Sequence, residues 1–264
     1  MVPSIHSNFI NNSIEILKDD SRILGIAIGG SYVSGEMDEF SDIDFVIAVD
    51  TNDFKSVMED RFKIVERLGR VLSAFTGEHV GEPRLVICLY GPPFLHVDFK
   101  FVSVEDIAVR VEDPVILWER NNTITNNLRL GEAKFPIPNL QWIEDRFWVW
   151  VHYGATKIGR NEIFEAIEFI SFMRQVVIGP LLLMKNGKLP RGVRRIEFDA
   201  PKDLPLLLET IPTHSAKSCI EALQVIIKLY IDLREYHATT ELVKRTEAEK
   251  YSKDYVSEII EKLK

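Results

Sequence analysis

The hydrophobic pattern of the chain changes period near residue 140, and this change constrains the fold more than any other feature. Before it, short runs rich in Ile, Val, Leu and Phe alternate with helical stretches; the runs lie at 23–29, 43–49, 84–90 and 95–102. After it, apolar residues recur at helical spacing. Strands alternating with helices are typical of α/β domains, and successive amphipathic helices are typical of a bundle. The sequence therefore predicts an α/β domain at 1–130 and an α-helical domain at 131–264.

Local signals add detail to the first domain. Amphipathic helices are expected near 7–20 and over 53–75. The sequence GPPF (91–94) separates the last two predicted strands, and this turn-forming stretch predicts a hairpin.

Charge is distributed unevenly between the two predicted domains. The chain has a net charge of −8, with −9 in residues 1–130 and +1 in residues 131–264. An acidic surface repels a nucleic-acid backbone, whose binding normally depends on Lys and Arg neutralising phosphates. A polynucleotide partner is therefore disfavoured, whereas a small cationic partner is compatible with this charge.

The remaining composition indicates a cytoplasmic protein. The N-terminal stretch MVPSIHSNFINN lacks a basic region followed by an apolar one, and the most apolar run, VVIGPLLLM (176–184), is too short to span a bilayer. The chain has two cysteines, Cys88 and Cys219, which are expected to be reduced core thiols. No membrane partner is predicted.

The end of the first predicted strand has the residues of a phosphate site. Gly29 and Gly30 allow a ligand to approach the backbone without obstruction by side chains. Ser31 then begins a short helical turn, where backbone N–H groups and a hydroxyl can bind phosphate oxygens. Gly-Gly-Ser alone is most often only a turn, so the functional interpretation depends on the acidic residues found further along the chain.

Two aspartates precede and enter the next strand. Because side chains alternate along a strand, Asp42 and Asp44 are expected on one face, with Ile43 and Phe45 toward the core. Carboxylates so close together repel each other unless a cation lies between them. Hard oxygen ligands beside a phosphate site favour Mg²⁺.

A third carboxylate is expected on a neighbouring strand, because a two-metal site needs further protein ligands. The strand LHVDFKFV supplies Asp98, with His96 and Lys100 on the same face. An ionised aspartate in so apolar a strand is costly to bury without a partner, and a metal ion would supply that partner.

The motifs follow a recognisable order: Gly-Gly-Ser, a ten-residue spacer, Asp-Ile-Asp-Phe and a later lone Asp. This order resembles the nucleotidyltransferase superfamily that includes DNA polymerase beta. The two-domain layout is similar to the antibiotic nucleotidyltransferases that act on aminoglycosides and lincosamides. The resemblance implies a small polymerase-beta-like α/β domain with a mixed sheet, followed by an α-helical bundle. It also implies transfer of a nucleoside monophosphate, AMP from ATP by preference, to a hydroxyl of a small cationic antibiotic-like acceptor, with pyrophosphate leaving.

The resemblance also implies roles for individual residues. Asp42 and Asp44 would bind two Mg²⁺ ions, for which Mn²⁺ can substitute, and Asp98 would complete the metal site or accept the proton. Gly29, Gly30 and Ser31 would hold the nucleotide phosphates.

A departure from the family concerns the helical domain. Kanamycin-type members carry Glu-Tyr-Ala-Gly-Lys there, with the Lys on the phosphates and the Glu as base. Here HYGATK places Lys157 at the lysine and Tyr153 at the glutamate, which shifts the role of base toward Asp98. A lysine near a helix end more often serves only the helix dipole and the solvent.

Alternative functions remain open from the sequence. The acceptor can instead be a protein side chain or a transfer RNA end, as in toxin-like members of the superfamily, although the acidic first half disfavours RNA. A nucleotide-binding regulator without catalytic activity is a third alternative, but it would be expected to lack one of the carboxylates, and all three are present. The sequence leaves open the nucleotide preference and whether the protein is a homodimer.

Overall fold

The computed structural model describes residues 2–264, which form two compact units. The first ends at Phe135 and the second begins at Pro136. The first unit contains a mixed sheet with helices, and the second is helical, so the predicted fold class is confirmed.

The first unit is built on one six-stranded sheet. Its strands are β1 (Ile23–Ile28), β2 (Ile43–Val49), β3 (Val71–Gly77), β4 (Glu82–Tyr90), β5 (Leu95–Ser103) and β6 (Val115–Glu119). Their order across the sheet is β3-β4-β5-β2-β1-β6. The β2–β5 pair is parallel and the other pairs are antiparallel, which makes the sheet mixed. The hairpin predicted at GPPF joins β4 to β5.

The helices of the first unit cover mainly one face of the sheet. They are α1 (Ser4–Leu17), α2 (Gly30–Ser34), α3 (Phe54–Glu66) and α4 (Thr123–Leu128), with two short 3₁₀ turns at Glu78–Val80 and Val104–Ala108. Apolar side chains of α1 and α3 pack on the face that carries Phe45, Val97 and Phe99. A smaller cluster containing Ala48, Val102 and Ile124 covers part of the other face. The rest of that second face carries the polar residues of β2 and β5.

The first unit differs from the sequence expectations in two places, one helix that is wrong in extent and one strand that was not expected. The helix expected over 53–75 ends at Glu66, and residues 71–77 form β3 instead. Pairing with β4 decides this segment, because cross-strand contacts outweigh the local helical pattern. Strand β6 was not anticipated; it is only five residues long and pairs with β1.

The second unit is a helical domain. Its helices are α5 (Leu140–Gly159), α6 (Ile163–Met173), α7 (Gly179–Lys185), α8 (Ile196–Asp199), α9 (Leu204–Leu208), α10 (Ala216–His237) and α11 (Thr246–Lys262). A π-helical turn, Arg174–Ile178, joins α6 to α7. The long helices α5, α10 and α11 bury one apolar face each, and the side chains of Phe147 and Tyr230 stack with ring centroids 3.7 Å apart in this core.

A buried charged network ties these long helices together. The carboxylate of Glu144 on α5 is fully buried; it accepts hydrogen bonds from the Tyr230 hydroxyl at 2.5 Å and from Arg234 Nη1 at 3.1 Å, both on α10. The backbone N–H of Arg245, just before α11, also donates to it at 2.8 Å. A buried charge with so many partners holds the helices in one arrangement.

One helical stretch, Ile163–Lys185, is long and apolar enough to cross a membrane by length and composition alone, with a mean hydropathy of 1.6. Half of its most apolar 18-residue window is buried inside the structure. The cytoplasmic location stays a prediction.

Candidate active site

Two aspartates face each other across the parallel strands β2 and β5. Asp44 is the register partner of Asp98, and the next pair along the strands is Phe45 and Phe99. The two phenylalanines are buried on the face covered by helices, where their rings stack with centroids 5.3 Å apart. Because side chains alternate along a strand, the two aspartates lie on the opposite, partly open face.

Asp42 extends this acidic group by one position. It immediately precedes β2 and stands two residues before Asp44, on the same side of the sheet. Burial raises the pKa of Asp98 above its ordinary value, His96 opposes the shift, and the negative charge of Asp42 adds to it. Asp42 therefore lies close enough to Asp98 to influence its protonation.

His96 is the partner of Asp98 in the structure. Its Nε2 lies 3.0 Å from Asp98 Oδ1, and the His96 side chain is about half exposed. Lys100, the next residue on this face of β5, forms a 3.1 Å ion pair with Glu82. Among residues 2–264, no group of three or more His, Cys, Asp or Glu side chains is arranged as a ready metal-binding site.

The glycine turn after β1 is packed directly against Asp44. The Gly29 N–H donates to the backbone oxygen of Asp44 at 2.9 Å. Gly30 has a φ of +60°, and a Cβ placed there would lie only 2.0 Å from Asp44 Oδ2. Only glycine fits this position, both because of its left-handed backbone and because of the neighbouring carboxylate.

Two groups at this turn distinguish it from an ordinary loop. The Ser31 hydroxyl is buried and has no hydrogen-bond partner among the described residues. Buried polar atoms in native proteins are nearly always partnered, so an orphaned hydroxyl indicates a place where a ligand can bind. The Gly30 N–H does have a partner, since it donates to Glu112 Oε1 at 2.7 Å.

Glu112 is the residue near this site that the sequence did not reveal. It stands three positions before β6, and the pairing of Val115 with Ile28 brings it to the end of β1. The apolar run VILW (115–118) was the signal for this strand. Without the strand, nothing in the sequence placed residue 112 near Gly30.

Lys157 lies in the helical unit and is already paired. Its Nζ contacts Glu162 Oε2 at 2.7 Å and Glu165 Oε2 at 3.0 Å, and these carboxylates raise its pKa. Glu165 also accepts a hydrogen bond from the Tyr153 hydroxyl. The contact between Lys157 and a nucleotide phosphate stays a prediction.

Comparison with known protein families finds a match to part of the chain. Residues 10–81 match the family model described as a nucleotidyltransferase domain. The matched stretch includes the glycine turn, Asp42 and Asp44, but it ends before Asp98.

A relative from Methanocaldococcus jannaschii, named as a candidate protein adenylyltransferase, is 40% identical over 58 residues. The match covers 22% of this chain and 57% of the relative, so the chain spans little more than half the length of the curated relative.

Two solved structures are similar over nearly the whole chain but only distantly. One is an aminoglycoside 6-adenyltransferase from Bacillus subtilis, with a TM-score of 0.39 and 15% identity, covering 95% of this chain and 97% of that one. The other is a nucleotidyltransferase-like protein from Exiguobacterium sibiricum, with a TM-score of 0.39 and 14% identity, covering 97% and 90% of the two chains.

The first unit therefore carries a nucleotidyltransferase domain, and the resemblance noted in the sequence is confirmed at this level. Enzymes of this class transfer a nucleotidyl group from a nucleotide substrate and generally use divalent metal ions.

Proposed function

We propose that the protein transfers AMP from ATP to a hydroxyl group of an acceptor and releases pyrophosphate. The observation that carries this proposal is the pairing of Asp44 with Asp98 on adjacent parallel strands, beside the glycine turn that contacts Asp44. In the reaction, the acceptor oxygen forms a bond to the α-phosphorus of ATP. The bond from that phosphorus to the oxygen bridging to the β-phosphate breaks, and the acceptor proton passes to a base.

The residues present suit divalent metal ions. Asp42, Asp44 and Asp98 offer carboxylate oxygens, the ligands that Mg²⁺ prefers, and Mn²⁺ accepts the same donors. Bound Mg²⁺ would neutralise phosphate charge and position the reacting oxygens. The number of ions, which we expect to be two, follows from the sequence resemblance.

The protein groups have separate tasks in this proposal. Gly29, Gly30 and Ser31 would hold the phosphates, and the unpartnered Ser31 hydroxyl would donate to one phosphate oxygen. Asp98 accepts the acceptor proton, because Tyr153 stands where kanamycin-type relatives have a glutamate base. Lys157 would contact the phosphates.

Two classes of acceptor are supported by different observations. A small cationic molecule, such as an aminoglycoside or lincosamide, suits the net charge of −9 in residues 1–130. A protein hydroxyl is favoured instead by the name of the relative from Methanocaldococcus jannaschii, which matches this chain over 58 residues.

The test uses ATP labelled at either the α- or the γ-phosphate, with Mg²⁺, against a panel of aminoglycosides and lincosamides and against proteins of a cell lysate. We expect label from the α-phosphate to appear on one acceptor class, with a mass increase of one AMP. The Asp44→Asn variant is the matched control. Transfer of the γ-label would show a kinase and contradict the proposal.

A further inference from the structure

The carboxylate of Glu112 accepts a hydrogen bond from a backbone N–H of the glycine turn. Its Oε1 accepts the Gly30 N–H at 2.7 Å and lies 3.0 Å from the position that a Cβ would take at Gly29. The carboxylate is thus packed against both glycines, where the proposed function places the nucleotide phosphates.

Glu112 and a phosphate cannot both accept a hydrogen bond from the Gly30 N–H at the same time. A backbone N–H carries one proton and makes one strong, well-aligned hydrogen bond. Two anions drawn to the same donor also repel each other, and this repulsion is strong in a partly buried site. A phosphate that binds the Gly30 N–H must therefore displace the glutamate.

The segment around Glu112 allows such a displacement. Val109 and Val111 are 88% and 54% exposed, so neither packs into the core. The next strand, β6, is fixed by the pairing of Val115 with Ile28. Rotation of the Glu112 side chain, which would also change its other contacts, would free the Gly30 N–H while the pairing of β6 with β1 stays in place.

We propose that Glu112 sets the affinity of this site for nucleotides, because its carboxylate holds the Gly30 N–H until a triphosphate displaces it. This inference rests on the proposed function and adds an affinity-determining residue to it. The carboxylate acts as an internal competitor, so it weakens the binding of ligands that carry phosphates and has no effect on those that carry none.

The test is calorimetric titration of the full chain with ATP and Mg²⁺, and separately with adenosine. Glu112→Ala removes the competitor, and Glu112→Gln keeps the shape of the side chain without its charge. Asp113→Asn is the matched control, since it removes the neighbouring negative charge, which pairs with Arg110 rather than with the glycine turn.

For Glu112→Ala we expect the Kd for ATP to fall by about tenfold, as suits loss of a competing charge-assisted hydrogen bond. Glu112→Gln should lower the Kd by a smaller factor, because the amide oxygen still accepts the N–H. Asp113→Asn should change the Kd by less than about twofold, because exposed charges are screened by salt. The affinity for adenosine should be the same in all four proteins.

Three results would overturn the inference. An unchanged Kd for ATP in both Glu112 variants would show that the carboxylate does not compete. A raised Kd in Glu112→Gln, with its fold intact by circular dichroism, would show that Glu112 supports the site, for example as a metal ligand. Absence of ATP binding in all four proteins would contradict the proposed function as well, which separates the two failures.

Discussion

Asp44 and Asp98 are direct register partners on the parallel strands β2 and β5. Their Cα atoms are therefore separated by one strand spacing, about 4.8 Å. Two carboxylates so close on one face repel each other unless a cation or a proton is shared between them. This pairing makes the open face of the sheet a specific place to look for metal-dependent chemistry.

Replacement of the aspartates on β2 and just before it should abolish transfer. For Asp42→Asn and Asp44→Asn, each made alone, we expect the rate of AMP transfer to fall by about 10²-fold or more, because each removes a carboxylate that would hold a metal ion, and that ion would stabilise the charge on the reacting phosphate. Asp53→Asn, beyond the other end of β2, should leave the rate unchanged. The measurement is single-turnover transfer from α-labelled ATP, with circular dichroism to verify the fold. Normal turnover in either site variant would contradict the metal-site interpretation.

Asp98→Asn separates a metal ligand from a base. If Asp98 accepts the proton, a deficit of about 10²- to 10⁴-fold should persist at saturating Mn²⁺, because an amide cannot take up the proton. Glu165 and Glu168 are the glutamates on α6, in the helical unit. Glu165→Gln and Glu168→Gln should retain most of the activity under the same conditions. Near-complete rescue of Asp98→Asn by Mn²⁺, with a large loss in one glutamate variant, would place the base in the helical unit.

Gly30→Ala should reduce activity more than stability. The new methyl group would meet Asp44 Oδ2 and push this carboxylate away, in addition to about 1–2 kcal/mol of strain at a positive φ. Gly35→Ala is the matched control, because Gly35 has a φ of +71° but no atom within 4 Å of the added Cβ. We expect a somewhat larger loss in the free energy of unfolding for Gly30→Ala than for Gly35→Ala, because only Gly30→Ala adds the contact with Asp44, and a large loss of transfer only for Gly30→Ala. Equal activities would show that the position of Asp44 is not critical.

Removal of divalent metal should abolish most of the stabilisation of the protein by ATP. A ligand that binds only the folded state stabilises it, and at a fixed ligand concentration the stabilisation grows with the logarithm of the affinity. We expect ATP with Mg²⁺ or Mn²⁺ to raise the melting temperature, and ATP in excess chelator to raise it much less. The measurement is thermal unfolding followed by circular dichroism. An equal increase in chelator would indicate that nucleotide binding does not depend on metal.

Glu144→Gln should strongly destabilise the helical unit. The variant leaves Arg234 buried with a weakened partner, and breaking a buried ion pair typically costs about 3–5 kcal/mol. Glu235→Gln is the control, because Glu235 pairs with the same arginine but is half exposed, and such a pair is worth less than about 1 kcal/mol. Urea unfolding monitored by tryptophan fluorescence reports on this unit, since three of the four tryptophans, Trp142, Trp148 and Trp150, lie in it. Equal effects of the two variants would contradict this ranking.

The same glutamate predicts a dependence of stability on pH. Burial alone would raise the pKa of Glu144, but hydrogen bonds from Tyr230 and the Arg245 backbone, with the charge of Arg234, hold it below the ordinary value of 4.5. A carboxylate with a lowered pKa in the folded state stabilises the fold above its unfolded pKa, and this contribution is lost as the pH falls through the folded pKa. We expect the free energy of unfolding to decrease as the pH falls below about 4.5, with a shallower decrease in Glu144→Gln. An identical pH profile in that variant would contradict the assignment.

Local pattern alone was sufficient for much of the fold and part of the site. The alternation in IDFVIAV predicted β2 at Ile43–Val49, with Ile43 and Phe45 in the core and the aspartates on the other face. The glycine turn, the hairpin at GPPF and the long helices of the second unit also follow from short-range periodicity. These features are predictable because side-chain periodicity and turn chemistry depend on residues close in sequence.

Pairing between distant segments decided the rest. Residues 71–77 read locally as the end of a helix but form β3 against β4, and the short β6 pairs with β1. These pairings determine which side chains meet: they bring Glu112 to the Gly30 N–H across 82 residues of sequence. The sequence supplied the residues of the candidate site, but only tertiary structure placed Asp98 opposite Asp44 and Glu112 on the glycine turn, because the register between strands is a non-local property.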